Sequence, residues 1–301
     1  MLQTVKTDRK NVESLLHSIR KNEPLIHCIT NPISINDCAN AVLATGAKPI
    51  MAEHPLEVAH ITSMASVLAV NLGNITDARI ISMQRALSTA NRKNIPVLLD
   101  LVGVTCSQLR RSFAKQLLSQ GVFSVIKGNI SEILAAAELP YHGTGIDAGS
   151  QDAVSVENQA WYCETARHLA KHLNCTVMAT GKKDLIADAE NAFLVSNGHA
   201  ALSGVTGTGC MVGALTAAYL PGSKAIFTKS GIFETSSIIP DKTKVSYGTA
   251  AALLAAVAMG ISGELAAEIS KGPGSFQTAL LDEVYAMTDE TLLEKARLQE
   301  F

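Results

Sequence analysis

Short, uninterrupted apolar runs that close on a polar residue or a glycine recur along this chain, with helix-like stretches between them. They cover residues 25–29, 49–51, 67–73, 96–100, 122–129 and 176–181. Runs that are apolar throughout, rather than at every second position, mark strands buried on both faces. The intervening spacing predicts helices over 34–44, 77–90, 109–119, 131–137 and 155–172. Such alternation predicts an α/β fold with a mostly parallel central sheet and helices on both faces. Two runs break the rhythm. Residues 185–188 and 193–198 flank Ala189-Glu190-Asn191 and predict an antiparallel hairpin at a sheet edge. Helices are then expected over 211–220, 245–261 and 277–286, the first stopped by Pro221-Gly222. Residues 141–151 carry three glycines and predict a loop, either a mobile lid or a long crossover. No repeat, linker or charge block interrupts the chain, so 1–301 reads as a single domain.

Composition narrows the partners. Of 301 residues, 47% are hydrophobic and only 17% charged, against a usual charged share of ~25%. Much surface must therefore be covered, by a thick core or by subunit contacts. A net charge of −2 argues against nucleic acid or an anionic membrane as the main partner. The six cysteines, at 28, 38, 106, 163, 175 and 210, form no Cys-x-x-Cys pair and no zinc-type spacing. Scattered thiols suit a reducing cytoplasm. The first ten residues lack the apolar core of a secretory signal. The most apolar stretch, 250–261, is 12 residues long, short of the ~18 that suggest a membrane span. A cytoplasmic location is expected.

Ligands of a parallel sheet bind beyond the carboxyl ends of its strands. Thr30 and Asn31, Met51, Asn71 and Gly73, Asp100, Lys127 to Asn129, and Thr180-Gly181 all fall at such exits. On the same edge the run Val205-Thr206-Gly207-Thr208-Gly209-Cys210 opens an apolar helix. A glycine turn leading into a helix presents unpaired N–H groups and a positive dipole end to an anion. The run is not a Walker loop, since no Gly-Lys-Ser/Thr follows. It also lacks the third glycine of the dinucleotide fingerprint, where Val212 stands. Cys210 is either a working thiol at that mouth or an inert small hydrophobe.

Several segments in order then carry a resemblance. They are Pro24-Leu25-Ile26-His27-Cys28-Ile29-Thr30-Asn31, Gly46-Ala47-Lys48-Pro49-Ile50-Met51, Asp100 with Val102-Gly103, and Ile126-Lys127-Gly128-Asn129 with Ser131-Glu132. Ser196-Asn197-Gly198-His199, the glycine run ending in Cys210, and Lys271-Gly272-Pro273-Gly274-Ser275-Phe276 complete the set. Together they resemble the hydroxyethylthiazole kinase family of the ribokinase-like superfamily. The resemblance implies a ribokinase-like three-layer sandwich. It implies ATP-dependent phosphorylation of 4-methyl-5-(2-hydroxyethyl)thiazole in thiamine salvage, with Mg²⁺. It also implies a homotrimer with active sites between neighbouring subunits.

By the same resemblance, Gly207, Thr208 and Gly209 would hold the transferring phosphoryl group beside Cys210, which positions the hydroxyl and accepts its proton late. Met51, Asn31 and Gly207 would bind substrate, Lys127 and Thr180 ATP, and Asp100 and Glu132 the metal. Each residue has a plainer reading too: Asn31 as a turn residue before Pro32, Glu132 as a first-turn helix carboxylate, Thr180 as a strand-end hydroxyl. The chain departs from the family pattern at Lys127, where Arg is common, at Leu101, where proline follows the Asp, and over 105–110. A hydroxymethylpyrimidine-type kinase, a non-catalytic vitamin-precursor binder and a cysteine hydrolase are the competing functions, the last without a recognisable His partner motif.

Overall fold

Nine strands, all in one sheet, run through the described residues of the computed structural model, which are 15–143, 154–230 and 244–301. They are β1 (Leu25–Ile29), β2 (Lys48–Ile50), β3 (Val67–Asn71), β4 (Val97–Asp100), β5 (Val125–Asn129), β6 (Thr176–Thr180), β7 (Asp184–Ala187), β8 (Ala192–Val195) and β9 (Leu298–Glu300). Their order is β2-β1-β3-β4-β5-β6-β7-β8-β9. The first six pair in parallel, and β7 to β9 continue the sheet antiparallel.

Both faces of the strands are buried, as the unbroken apolar runs require. On β3, Val67 and Ala69 join one apolar cluster while Leu68 and Val70 join the other. The first cluster packs under α1 (Leu15–Asn22), α2 (Ile35–Ala44), α8 (Thr208–Ser230), α9 (Tyr247–Ile269), α10 (Pro273–Ala286) and α11 (Asp289–Lys295). The second packs under α3 (Val58–Met64), α4 (Asp77–Arg92), α5 (Gln108–Gln120), α6 (Ile130–Ala136) and α7 (Gln159–Leu173). The three-layer α/β arrangement is the one expected. α9 is the one described helix long and apolar enough to cross a membrane, and here every residue from Gly248 to Gly263 is buried in the protein core.

Two expectations fail for physical reasons. The hairpin β7–β8 forms, with Leu185 opposite Leu194, but it is not the edge: β9 pairs beyond it, Phe193 opposite Glu300. Leu-Gln-Glu is too short and polar to announce a strand, and its hydrogen bonds to β8 come only with the fold. Pro221 does not end its helix either, since α8 runs through it to Ser230. An interior proline costs ~3 kcal/mol or more, and burial offsets it: Leu215, Tyr219 and Leu220 are fully buried. Gly222 lets α1 approach, because a Cβ there would lie 2.6 Å from Leu15 Cδ1. Most of the predicted 141–151 loop, residues 144–151, lies outside the described residues.

Candidate active site

Strand register builds the centre of the site. Asn71 lies opposite Asp100 across β3 and β4, and Asp100 opposite Lys127 across β4 and β5. Opposed residues of adjacent strands share a face, so three polar side chains meet where water is excluded. Asn71 Nδ2 donates to Asp100 Oδ2 at 3.1 Å, and Lys127 Nζ reaches the same oxygen at 3.2 Å. Asn31, just past β1, donates from Nδ2 to Asn71 Oδ1 at 3.2 Å. The two asparagine amides also lie 3.2 and 3.3 Å from Cys210 Sγ. The sulfur is thus an acceptor for two fixed donors, which sets its orientation. Asn31 keeps its turn role as well, since its Oδ1 accepts from the amides of Ile33 and Ser34.

Lys127 and Asp100 form a buried ion pair. Burial works to lower the Lys127 pKa, but the Asp100 carboxylate, with Cys210 and Glu132 behind it, outweighs that and holds it above the usual lysine value. Glu132 is pushed up to about 7, first by burial and then by the charge of Asp100, against the pull of two backbone amides. Those amides are Asn129 N–H on Oε2 at 2.7 Å and Gly103 N–H on Oε1 at 2.6 Å. With Asn129 Oδ1 accepting from Glu132 N–H at 2.9 Å, the pair is a capping box for α6. The first-turn reading of Glu132 therefore holds, and its proximity to Asp100 holds with it. Thr180 pairs with Asn129 at the next strand exit, its hydroxyl donating to Gly128 O at 3.2 Å.

α8 begins three residues earlier than its apolar run suggests, so the glycine segment is partly helix. Gly207 has φ +91, a conformation L side chains rarely adopt, and a Cβ there would sit 3.0 Å from Ser34 Cβ. The first helical hydrogen bond runs from Met211 N–H to Gly207 O at 2.9 Å, which leaves the amides of Thr208, Gly209 and Cys210 ahead of the ladder. Thr208 turns its hydroxyl back to Leu202 O at 2.9 Å. It offers the site an amide, not a side chain. The helix lies directly over the ion pair: a Cβ on Gly209 would be 4.0 Å from Lys127 Nζ, and one on Gly213 3.3 Å from Asp100 Oδ2. Met51, half-buried after β2, packs on the same apolar cluster as Cys210 but outside the hydrogen-bonded group. Below Cys210 is a cavity of about 20 Å³ bordered by Cys28, Thr30, Cys38 and Asn71, room for about one water.

The structure therefore joins Asn31, Asp100, Lys127, Glu132, Gly207, Gly209 and Cys210 into one region. The residue that sequence reasoning undervalued is Asn71, which bonds to Asn31, Asp100 and Cys210 alike. Its signal was its place at the end of the third apolar run, but an asparagine before a glycine reads equally well as a turn.

A model of the hydroxyethylthiazole kinase family matches residues 16–236. The chain belongs to the hydroxyethylthiazole kinase family. It is similar to hydroxyethylthiazole kinase 2 of Clostridium botulinum (strain 657 / Type Ba4), 42% identical over 284 residues, spanning 94% of this chain and 98% of that one. Among solved structures it is similar to the hydroxyethylthiazole kinase protein of Pyrococcus horikoshii OT3, with a TM-score of 0.77, 31% identity, and 95% and 97% of the two chains covered. A ribokinase-like superfamily protein of Enterococcus faecalis V583, at 13% identity, TM-score 0.53 and 89% and 88% coverage, shares the fold.

In this hydroxyethylthiazole kinase family member Leu101, where the resemblance leads one to expect a proline, is tied into the sheet. Its amide donates to Lys127 O at 2.7 Å, a bond proline would lose. The 105–110 departure carries Arg110 across the neighbouring turn. There Gly103 has φ +78, and a Cβ would lie 2.0 Å from Arg110 Nη1.

Proposed function

We propose that this kinase transfers the terminal phosphoryl group of ATP to the primary alcohol of 4-methyl-5-(2-hydroxyethyl)thiazole, in thiamine salvage, as one domain over 1–301. The observation that carries the reading is the hydrogen-bonded group Asn31, Asn71, Cys210, Asp100 and Lys127 beneath the start of α8. Phosphoryl transfer asks for positioning and charge neutralisation more than covalent chemistry. The amides of Gly207 to Cys210 receive the phosphoryl oxygens, as an anion hole does. Lys127 adds a compact positive charge beside them. Cys210, oriented by two asparagines, holds the substrate hydroxyl and takes its proton late, which a loose transition state permits. Thr180 borders the nucleotide, and Met51 packs on the thiazole ring, a contact worth ~0.3–1.5 kcal/mol.

Asp100 and Glu132 suit Mg²⁺. They are oxygen donors close enough that the charge of Asp100 raises the cost of ionising Glu132. No group of three or more His, Cys, Asp or Glu side chains converges among the described residues. That agrees with an ion which keeps several waters and takes one or two carboxylates. Bound there, Mg²⁺ would supply neutralisation of the phosphate charge. The family resemblance supports a homotrimer in the cytoplasm with sites shared between subunits, and the low charged fraction is compatible with covered subunit surface.

The test is ADP release from Mg-ATP with the thiazole alcohol, with a hydroxymethylpyrimidine, and with neither. Thiazole-dependent release is expected. Release driven by the pyrimidine instead, or binding of the thiazole without release, would overturn the reading.

A further inference from the structure

The segment after β2 carries Met51, and its restraints come from residues outside the group described above. His27, at the centre of β1 and fully buried, places Nε2 2.8 Å from Ala52 O and Nδ1 2.9 Å from Thr62 Oγ1 on α3. A carbonyl only accepts, so Nε2 carries the proton and Nδ1 accepts from the threonine. From the other side α4 holds the next residue. Ser82 Oγ donates to Glu53 O at 2.7 Å, and Arg79 Nε lies 3.4 Å from the Glu53 carboxylate. Arg85 Nη1 reaches Pro55 O at 2.8 Å. Consecutive carbonyls, of Ala52 and Glu53, are thus pinned by a strand and by a helix.

Arg79 also reaches the reacting end. Its Nη1 donates to Gly73 O and Asn74 O, both at 2.9 Å. Gly73 N–H donates to Asn71 Oδ1 at 2.9 Å, and a Cβ on Gly73 would lie 2.9 Å from Asn31 Cβ. One side chain therefore connects the Met51 segment to the residue that orients Cys210. It does so at a cost, since Arg79 is almost wholly buried and its Nε and Nη2 make no hydrogen bond. Packing alone would be served as well or better by an apolar residue of similar volume.

We propose that His27 and Arg79 are positioning residues for the alcohol substrate, fixing the Met51 wall relative to Asn71 and Cys210 and so setting the KM for a thiazole-sized ring. The inference rests on the proposed thiazole kinase reading. The experiment measures kcat, KM for the thiazole alcohol, KM for ATP and thermal stability on the full chain. His27→Leu and Arg79→Met are expected to raise the thiazole KM by about tenfold or more, with kcat within about threefold and the ATP KM within about twofold. His27→Gln keeps an N–H able to reach Ala52 O and should return the thiazole KM to within about threefold of the parent. His27→Gln behaving like His27→Leu, or both KM values rising together, would overturn the inference. Should the buried variants fail to fold, Arg85→Ala tests the exposed anchor. A rise of about twofold to threefold in thiazole KM supports the inference, and no rise overturns it. An unmodified protein without thiazole-dependent ADP release rejects the function itself, whereas active protein with unaltered variants rejects only this inference.

Discussion

The two ends of the parallel strands each hold a buried polar network, and they differ in what remains unspent. At the amino end, Thr176 of β6 bonds to Ser246 Oγ at 2.9 Å and Thr249 Oγ1 at 3.1 Å, fastening the start of α9. Asp188 completes it. Its Oδ2 accepts from Ser246 N–H and Thr249 Oγ1, and its Oδ1 from the amide of Glu190 and two N–H groups of Asn191. One carboxylate meets neutral donors, and all are used on caps and turns. At the carboxyl end three carboxylates, of Asp100, Glu132 and Asp184, lie in the field of one ammonium, Glu132 is pushed up to about 7, and the first amides of α8 face the ion pair. Polar burial alone does not mark a working site. Electrostatic imbalance beside spare donors is what makes the carboxyl end the candidate.

The largest test breaks that imbalance. Lys127→Met strands a buried Asp100 and should cost ~3–5 kcal/mol in denaturant unfolding. It should also lower ADP release by ~10²-fold or more. Adding Asp100→Asn removes the stranded charge and leaves Asn71 a neutral partner, so the double variant should recover most of the stability and none of the activity. If the double variant regained activity, the ion pair would belong with the structural network at the other end.

The matching cut at the amino end is Asp188→Ala. It leaves buried donors at the start of α9 and in the β7–β8 turn unsatisfied, at a cost of ~2–3 kcal/mol. ADP release per folded molecule should stay within about twofold of the parent. A large fall in kcat without loss of stability would mean that the two ends are coupled through the sheet.

How far each end could be read from the chain follows from the same difference. Buried strands announce themselves through runs such as Val67–Asn71 and Val97–Asp100, and the strand-exit rule then places Asn31, Asp100 and Lys127 together. β9 escapes because an edge strand of Leu-Gln-Glu has no apolar run, and α8 overruns Pro221 because tertiary burial overrides a local breaker. Asn71 escapes as a hub because its partners lie far off in sequence, Cys210 by 139 residues. Side-chain direction is equally unreadable: nothing in Gly-Thr-Gly-Cys says that Thr208 turns away while Cys210 turns in.

A smaller effect separates sulfur from amides at the carboxyl end. Cys210→Ala deprives Asn31 and Asn71 of a shared acceptor and should slow turnover about tenfold, the equivalent of ~1–2 kcal/mol. Cys210→Ser keeps an acceptor and should lose less. Both remain well short of the Lys127 variant if the amides of α8 and the charges carry the transfer. A loss from Cys210→Ala as large as that from Lys127→Met would make the thiol the principal catalytic group.

His27 gives the smallest signal and tests where the boundary between the two kinds of network falls. It lies near the Met51 segment, yet it is satisfied like the amino-end hydroxyls, neutral and bonded through both ring nitrogens. Burial holds its pKa below the usual histidine value, against the opposing pull of Ala52 O and Glu57. The unfolded chain therefore takes up this proton at ~6.5, and the folded chain only at lower pH. Between those two values the unfolded state binds more protons at this group, so the His27 contribution to stability falls as pH drops through that window and is constant above it. Thermal unfolding from pH 7.5 downward should show the parent losing stability relative to His27→Gln once pH falls below ~6.5, a difference from which the opposite contribution of Glu132, held up to about 7 in both proteins, cancels. A difference that stays constant with pH would mean that the folded protein accepts the proton at His27 without cost. The ring would then belong with the electrostatically unsettled carboxyl end rather than with the satisfied one.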